Sequence, residues 1–475
     1  MSPKPTSLFA CQSCSATSSK WLGRCPECGE WNSYVEEIRT AARAPGVPAG
    51  PPRSRPLAQV TAAPDARLET RLAGLDRVLG GGLVAGSVVL VGGEPGIGKS
   101  TLLLQVAGAL SGTSRAVLYA AGEESADQVR LRADRLGVTD ERLLVLAETD
   151  VERIVDEATS QGPSAVIVDS IQALRLGALS SAPGTVSQVR ECAGVLVRYA
   201  KERGVPVILV GHVTKDGSLA GPKALEHLVD ALITLDGERG SSRRVLRSTK
   251  NRFGAVDEIA LFEMTAKGMV EISNASATLL SERRTGLPGS AVTATREGTR
   301  SLLLEVQALV GPATAGSPRR VAIGVDAGRL SLLLAVLERA GIPLSSREVF
   351  VSCAGGLQIG EPGADLAIVA ALVSSAREHA LPESAIFFGE VGLLGEVRRV
   401  GATAARLREA AALGFERVYL PSANAQEVPP SPSISLCSVE RVADLIAELA
   451  IAARSPAGSA RTASRSGAGP TASGG

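Results

Sequence analysis

The run Val88-Val-Leu-Val91, followed by Gly92-Gly-Glu-Pro-Gly-Ile-Gly-Lys-Ser-Thr101, constrains this chain more than any other segment. Gly93 to Ser100 fits the pattern G-x-x-x-x-G-K-[ST]. A strand-like run precedes it and the helix-like Leu102–Leu110 follows, which is the context that motif needs. Glycines at 93, 96 and 98 let the backbone wrap an anion without Cβ clashes. Backbone N–H groups and the start of the helix then face phosphates. Gly93, Glu94, Pro95, Gly96, Ile97, Gly98, Lys99, Ser100 and Thr101 are therefore expected to bind ATP. Lys99 would reach the β- and γ-phosphates, and the Ser100 hydroxyl would ligate Mg²⁺.

Such a loop needs a partner acid at the end of another buried strand. Ala165-Val-Ile-Val-Asp169 supplies one, with Asp169 holding Mg²⁺ through its water shell. A base to activate water is expected at the same sheet edge, where open α/β sheets bind ligands. Gly122-Glu123-Glu124-Ser125 follows the run Val117–Ala120. Glu123 is the expected base with Glu124 as the fallback, although Glu124 reads better as support for the helix beginning near Ser125.

Short apolar runs at Val88–Val91, Val117–Ala120, Leu143–Leu146, Ala165–Val168 and Val205–Val210 alternate with amphipathic segments such as Ser125–Leu136, Val151–Ser160 and Val186–Arg203. This rhythm predicts a mainly parallel sheet, with helices on both faces, over residues 67–274. A second α/β region is expected over 285–451. Residues 37–66, rich in Ala, Pro and Arg, read as a linker, and 452–475 as a disordered tail.

At 475 residues the chain is too long for one ordinary domain. Aromatics make up 3%, so its cores must be aliphatic. No apolar run approaches the roughly 20 residues that cross a bilayer, and no signal-peptide pattern opens the chain. The expectation is a cytoplasmic protein with no membrane partner. A net charge of +1 neither supports nor excludes nucleic acid.

Cys11-x-x-Cys14 and Cys25-x-x-Cys28 form two ligand pairs within residues 8–36, separated by ten residues. Four thiolates satisfy tetrahedral Zn²⁺ with no open position. So short a segment cannot bury enough surface to fold unaided, which couples its folding to metal. Cys192, Cys353 and Cys437 sit among apolar neighbours and read as core residues.

Leu79-Gly-Gly-Gly-Leu-Val-Ala-Gly-Ser87, the loop, Gly122-Glu-Glu-Ser125, Val168-Asp-Ser-Ile-Gln172 and above all Lys250-Asn-Arg-Phe-Gly254 together resemble the bacterial RadA (Sms) family. The resemblance implies a RecA-like P-loop ATPase core, an N-terminal zinc ribbon and a C-terminal Lon-protease-like α/β domain. It also implies a DNA-dependent ATPase of recombinational repair that works as a hexamer beside the RecA recombinase. Its substrates would be single-stranded and branched DNA, and its action branch migration. Lys250, Asn251, Arg252, Phe253 and Gly254 match the family signature. Lys250 and Arg252 would either reach the γ-phosphate of a neighbouring subunit or couple nucleotide state to DNA. On chemistry alone, a Lys-x-Arg pair at a strand end is a solvated face.

His212 follows the run Val205–Gly211, where RecA-like folds carry a polar γ-phosphate sensor; a purely structural histidine is the other reading. The glycine-rich segment Thr214–Lys223 and residues 175–186 are expected to contact single-stranded DNA through Arg175, Lys215 and Lys223. With few aromatics for base stacking, those contacts would fall on phosphates. In the Lon-like region, Ile359–Ala367 and Gly389–Arg398 resemble the proteolytic domain. The place of its nucleophilic serine falls at Gly363 and that of its lysine near Ala404, so no peptidase chemistry is expected. A KaiC-type regulatory ATPase without DNA work is the alternative reading, and an ATP-dependent protease a third.

Overall fold

The computed structural model describes residues 6–11, 16–39, 56, 67–112, 115–211, 223–237, 241–256, 258–313, 318–355, 357–429 and 433–452. Apart from residues 37–39 and Pro56, the expected linker lies outside these, as does the expected tail beyond Ala452. The chain divides into two units, residues 1–275 with 297–300, and residues 276–296 with 301–475.

In the first unit, four of the five apolar runs become strands buried on both faces, while the edge strand Leu143–Ala147 is only partly covered. Val88–Gly93 is buried at every residue, as is Val207–Val210. Among the described residues they build a nine-stranded sheet. Its order is Gly268–Glu271, Ile259–Thr265, Arg243–Asn251, Ala231–Asp236, Val88–Gly93, Val207–Val210, Ala165–Asp169, Val117–Ala121, Leu143–Ala147. From Ala231–Asp236 to Leu143–Ala147 all neighbours are parallel; the three strands on the other side run antiparallel. One face packs against helices Lys99–Ser111, Ala126–Leu136 and Ala73–Leu79, the other against Val151–Gln161, Val186–Arg203 and Lys223–Leu228. The mainly parallel, doubly covered sheet is the one the rhythm predicts. Apolar runs do not reveal Arg243–Asn251, whose burial is broken by exposed and half-exposed polar residues in the antiparallel part of the sheet.

Ahead of this core, Thr6–Cys11, Thr17–Ser18 and Tyr34–Arg39 form a small antiparallel sheet. Its last strand pairs with the first as far as Arg39, extending into the stretch read as linker.

The second unit holds a seven-stranded mixed sheet. Helices Ala327–Arg339, Asp365–Arg377 and Val442–Ala452 cover one face, and Thr403–Ala412 packs on the other. Asp365–Arg377 is buried from Asp365 to Ser375, the pattern of a helix enclosed on all sides.

Candidate ATPase site and zinc centre

The phosphate loop leaves the sheet at Gly93 and enters its helix at Lys99. A Cβ at Gly93 would fall 2.5 Å from the Leu235 carbonyl oxygen, and one at Gly98 would fall 2.4 Å from the Cε atoms of Met264 and Met269. The Gly93 contact is with backbone, and Gly98 holds a positive φ of 114° that side-chain-bearing residues rarely adopt, so both positions call for glycine. Lys99 is 4% exposed, and its Nζ donates to the carbonyls of Gly93 at 2.7 Å and Glu94 at 2.9 Å. Burial pulls the ammonium below the ordinary lysine range, while the Asp169 and Glu123 charges oppose that shift. Both acids thus act on the same amine, 24 and 70 residues away in sequence.

Asp169 ends its strand beside Ala121, and the Gly122 N–H donates to the Asp169 carbonyl at 2.8 Å. That pairing carries the chain past the sheet edge and brings Glu123 to Ser170, whose hydroxyl donates to its carboxylate. Glu124 pairs instead with Arg132, and Ser125 caps the helix through a reciprocal box with Gln128. Two partners of the site are not legible in the sequence. The buried Tyr119 hydroxyl donates to Asp169 Oδ2 at 2.6 Å, and Arg244 Nε donates to the Ile97 carbonyl at 2.9 Å.

A glycine cradle, a buried amine, the Ser100 hydroxyl and the Asp169 carboxylate together fit a nucleoside triphosphate with Mg²⁺. The oxygen donors are the hard ligands that this ion prefers.

The structure does not bring Lys250 and Arg252 to their own chain's loop. Asn251 pairs with Ala231, and Ala231 with Val89, whereas Gly93 pairs with Leu235. The signature therefore lies at the opposite edge of the sheet, about 13 Å away along the strand at ~3.3 Å per residue. Lys250 Nζ donates to the carbonyls of Glu226 and, at 2.9 Å, Val229. Arg252 Nη1 reaches Asp230 Oδ1 at 3.2 Å. Burial favours neutral Asp230, but hydrogen bonds from Lys201 and the Val88 N–H, with the Lys201 and Arg252 charges, hold its pKa below the usual range. Asn251 accepts from the Phe253 N–H at 2.9 Å, and Arg67 donates to the Phe253 carbonyl at 2.7 Å. Gly254 is favoured because a Cβ there would stand 3.0 Å from the Gly80 Cα and 3.0 Å from Asn251 Nδ2.

Arg175 lies 3.7 Å from Asp150 and its side chain is half exposed. His212 and Lys215 lie outside the described residues. Lys223 opens the helix Lys223–Leu228, and its side chain also lies outside them.

In the small N-terminal sheet, the Sγ atoms of Cys11, Cys25 and Cys28 lie within 4.8 Å of one another; Cys14 lies outside the described residues. Cys11 and Cys28 are 3.7 Å apart, far beyond a disulfide bond. Four sulfurs at ~2.3 Å from a tetrahedral centre stand about 3.8 Å apart, so the cluster fits Zn²⁺. Cys11 and Cys25 are buried and Cys28 is exposed, with Ser33 and Tyr34 hydroxyls beside the buried sulfurs.

In the second unit, the positions matching the Lon dyad carry other contents. A Cβ at Gly363 would stand 3.2 Å from the Glu361 carboxylate. That carboxylate accepts from the fully buried Arg406 at 2.7 Å. Arg406 also donates to the Gly401 and Ala294 carbonyls and lies over the Phe388 ring. Its removal would empty an enclosed space and leave the Gly401 and Ala294 carbonyls without this donor, while the partly exposed Glu361 keeps Thr295 and Arg296 as partners. Arg406→Ala is therefore expected to destabilise this unit by about 3–5 kcal/mol. The check is thermal melting and limited proteolysis of the full chain. The double variant Arg406→Met, Glu361→Leu should recover most of the loss, and a wild-type melt for Arg406→Ala would refute it.

Fold and site define a P-loop ATPase that carries a zinc ribbon at one end and a Lon-like domain at the other. Family models match in the same order: an AAA domain over residues 52–218, a rubredoxin metal binding domain over 9–36 and the Lon protease (S16) C-terminal proteolytic domain over 345–451. The DNA repair protein RadA of Bacillus subtilis is 48% identical over 93% of this chain and 98% of its own length. That of Pseudomonas aeruginosa is 46% identical over 94% and 100%, and that of Escherichia coli 44% over 94% and 99%. The chain belongs to the RadA family of DNA repair proteins. Its cofactors are ATP with Mg²⁺ and, in the ribbon, Zn²⁺. Among the described residues, no helix is long and apolar enough to cross a membrane.

Proposed function

We propose that this ATPase is DNA-dependent and works as a homohexameric ring on single-stranded and branched DNA, driving branch migration beside a RecA-type recombinase. In each chain Lys99 binds the β- and γ-phosphates, Ser100 and Asp169 hold Mg²⁺, and Glu123 takes a proton from the attacking water. The Ser170 hydroxyl orients that base. His212 senses the γ-phosphate, and Arg175, Lys215 and Lys223 meet the DNA backbone. Lys250 and Arg252 act on the nucleotide of the neighbouring subunit. One observation supports this most: the signature sits at the sheet edge opposite its own phosphate loop, with two basic groups anchored at Asp230 and at the end of the helix Lys223–Leu228. That arrangement suits delivery to another subunit.

Turnover measured with and without single-stranded DNA tests the dependence; no stimulation over a wide salt range would sink it. A strand-exchange assay on forked DNA with ATP and the recombinase tests the biological task. Arg252→Ala is expected to lower DNA-stimulated turnover by about a hundredfold, through lost stabilisation of transition-state charge. Mixing Arg252→Ala chains with Lys99→Ala chains should restore part of the rate. In mixed rings some interfaces unite an intact loop with an intact signature. No recovery on mixing, with mixed rings demonstrated, would place Arg252 outside the neighbour's site.

A further inference from the structure

Tyr119 is 1% exposed and points to the face of the sheet covered by the helix Lys99–Ser111. Its neighbours there are aliphatic: Val91, Leu103 and Ile167 belong to the same cluster. A phenol in such surroundings needs a partner for its hydroxyl. Tyr119 stands beside Ile167 in the ladder and Ala121 beside Asp169, so the acid lies two residues further along the neighbouring strand, on the same face. A phenol is long enough to bridge that gap, and its hydroxyl donates to Asp169 Oδ2 at 2.6 Å.

We propose that Tyr119 is a positioning residue for the metal-holding carboxylate: by occupying Oδ2 it fixes the Asp169 rotamer and leaves Oδ1 to face the Mg²⁺ water shell. This rests on the reading of Asp169 as the acid that holds the metal. A second group that orients a carboxylate of this kind sets how tightly the ion is held, without touching it. The inward position also explains the choice of residue. Phenylalanine would fill the same aliphatic space but leave the carboxylate free to turn.

The test uses the full chain with a non-hydrolysable ATP analogue, and follows Mn²⁺ binding by electron paramagnetic resonance. Tyr119→Phe is expected to weaken Mn²⁺ binding at least about tenfold, with affinity for the metal-free nucleotide unchanged. In turnover assays the half-saturating Mg²⁺ should rise by the same factor, with kcat at saturating metal held within about twofold. A variant that melts earlier but binds Mn²⁺ as the wild type does would make Tyr119 a packing residue and overturn the proposal. Adding Tyr119→Phe to Asp169→Ala should cost nothing further, because both changes act through one carboxylate; additive losses would also overturn it. If Asp169→Ala alone leaves Mn²⁺ affinity intact, the reading of Asp169 fails. If Asp169→Ala weakens it and Tyr119→Phe does not, only the role of Tyr119 fails.

Discussion

Lys99→Ala is expected to reduce ATP turnover by about a thousandfold and to leave the fold intact. The magnitude follows from removing a preorganised charge from a site that excludes water, where such a donor is worth a factor of about 10²–10³. Here the amine is buried, and its hydrogen bonds to the Gly93 and Glu94 carbonyls hold it at the mouth of the loop. Its loss removes the positive charge that faces Asp169 and Glu123, so those carboxylates would also repel the incoming phosphates. Stability should change little, because the aliphatic packing of the helix Lys99–Ser111 comes from Leu102, Leu103, Leu104 and Val106 rather than from the lysine stem. Single-turnover hydrolysis and a thermal melt check the two halves separately. Retained hydrolysis would move the catalytic centre elsewhere, and a collapsed melt would make the lysine structural.

The parts of the site that are local in sequence are the parts a reader of the sequence can find. Gly93 to Thr101 announces itself because one turn, one amine and one hydroxyl must follow each other in a fixed order. Asp169 is legible only beside that loop, because an apolar run ending in an acid is weak evidence by itself. Tyr119 and Arg244 are hidden for a physical reason. Each acts through one long side chain on a partner 50 or 147 residues away, and nothing in Val117-Leu-Tyr-Ala-Ala121 marks its hydroxyl as spoken for. The motif Lys250–Gly254 is recognisable as a pattern, but its position at the far sheet edge depends on strand order. That order includes the antiparallel strand Arg243–Asn251, whose polar-rich composition conceals it. The same holds for Arg406. On an otherwise amphipathic helix it looks like a solvated residue, and only the fold shows it enclosed against Glu361 and Phe388.

Removing zinc should unfold the N-terminal ribbon and leave the ATPase core standing. A structural zinc contributes about 10–16 kcal/mol of folding free energy to a module of this size. The described part of the ribbon buries only Cys11, Cys25 and Tyr34 as a core, with Phe9 and Ala16 packed against them, so little else holds it together. The nine-stranded sheet has its own extensive aliphatic clusters and needs no metal. The chain's composition makes this separable, because its two tryptophans, Trp21 and Trp31, both lie in the ribbon. Trp21 Nε1 donates to the Tyr34 carbonyl at 3.1 Å, and Arg24 lies over the Trp31 ring. Tryptophan anisotropy therefore reports on the ribbon alone. A strong chelator should release one zinc per chain and lower that anisotropy, while basal ATP turnover in excess Mg²⁺ stays near its starting rate. Cys25→Ser should reproduce the loss without chelator. Release of no zinc, with the tryptophan signal collapsing only under a thiol reductant, would assign the four cysteines to disulfides; zinc released with the signal unmoved would show that the ribbon folds by packing alone.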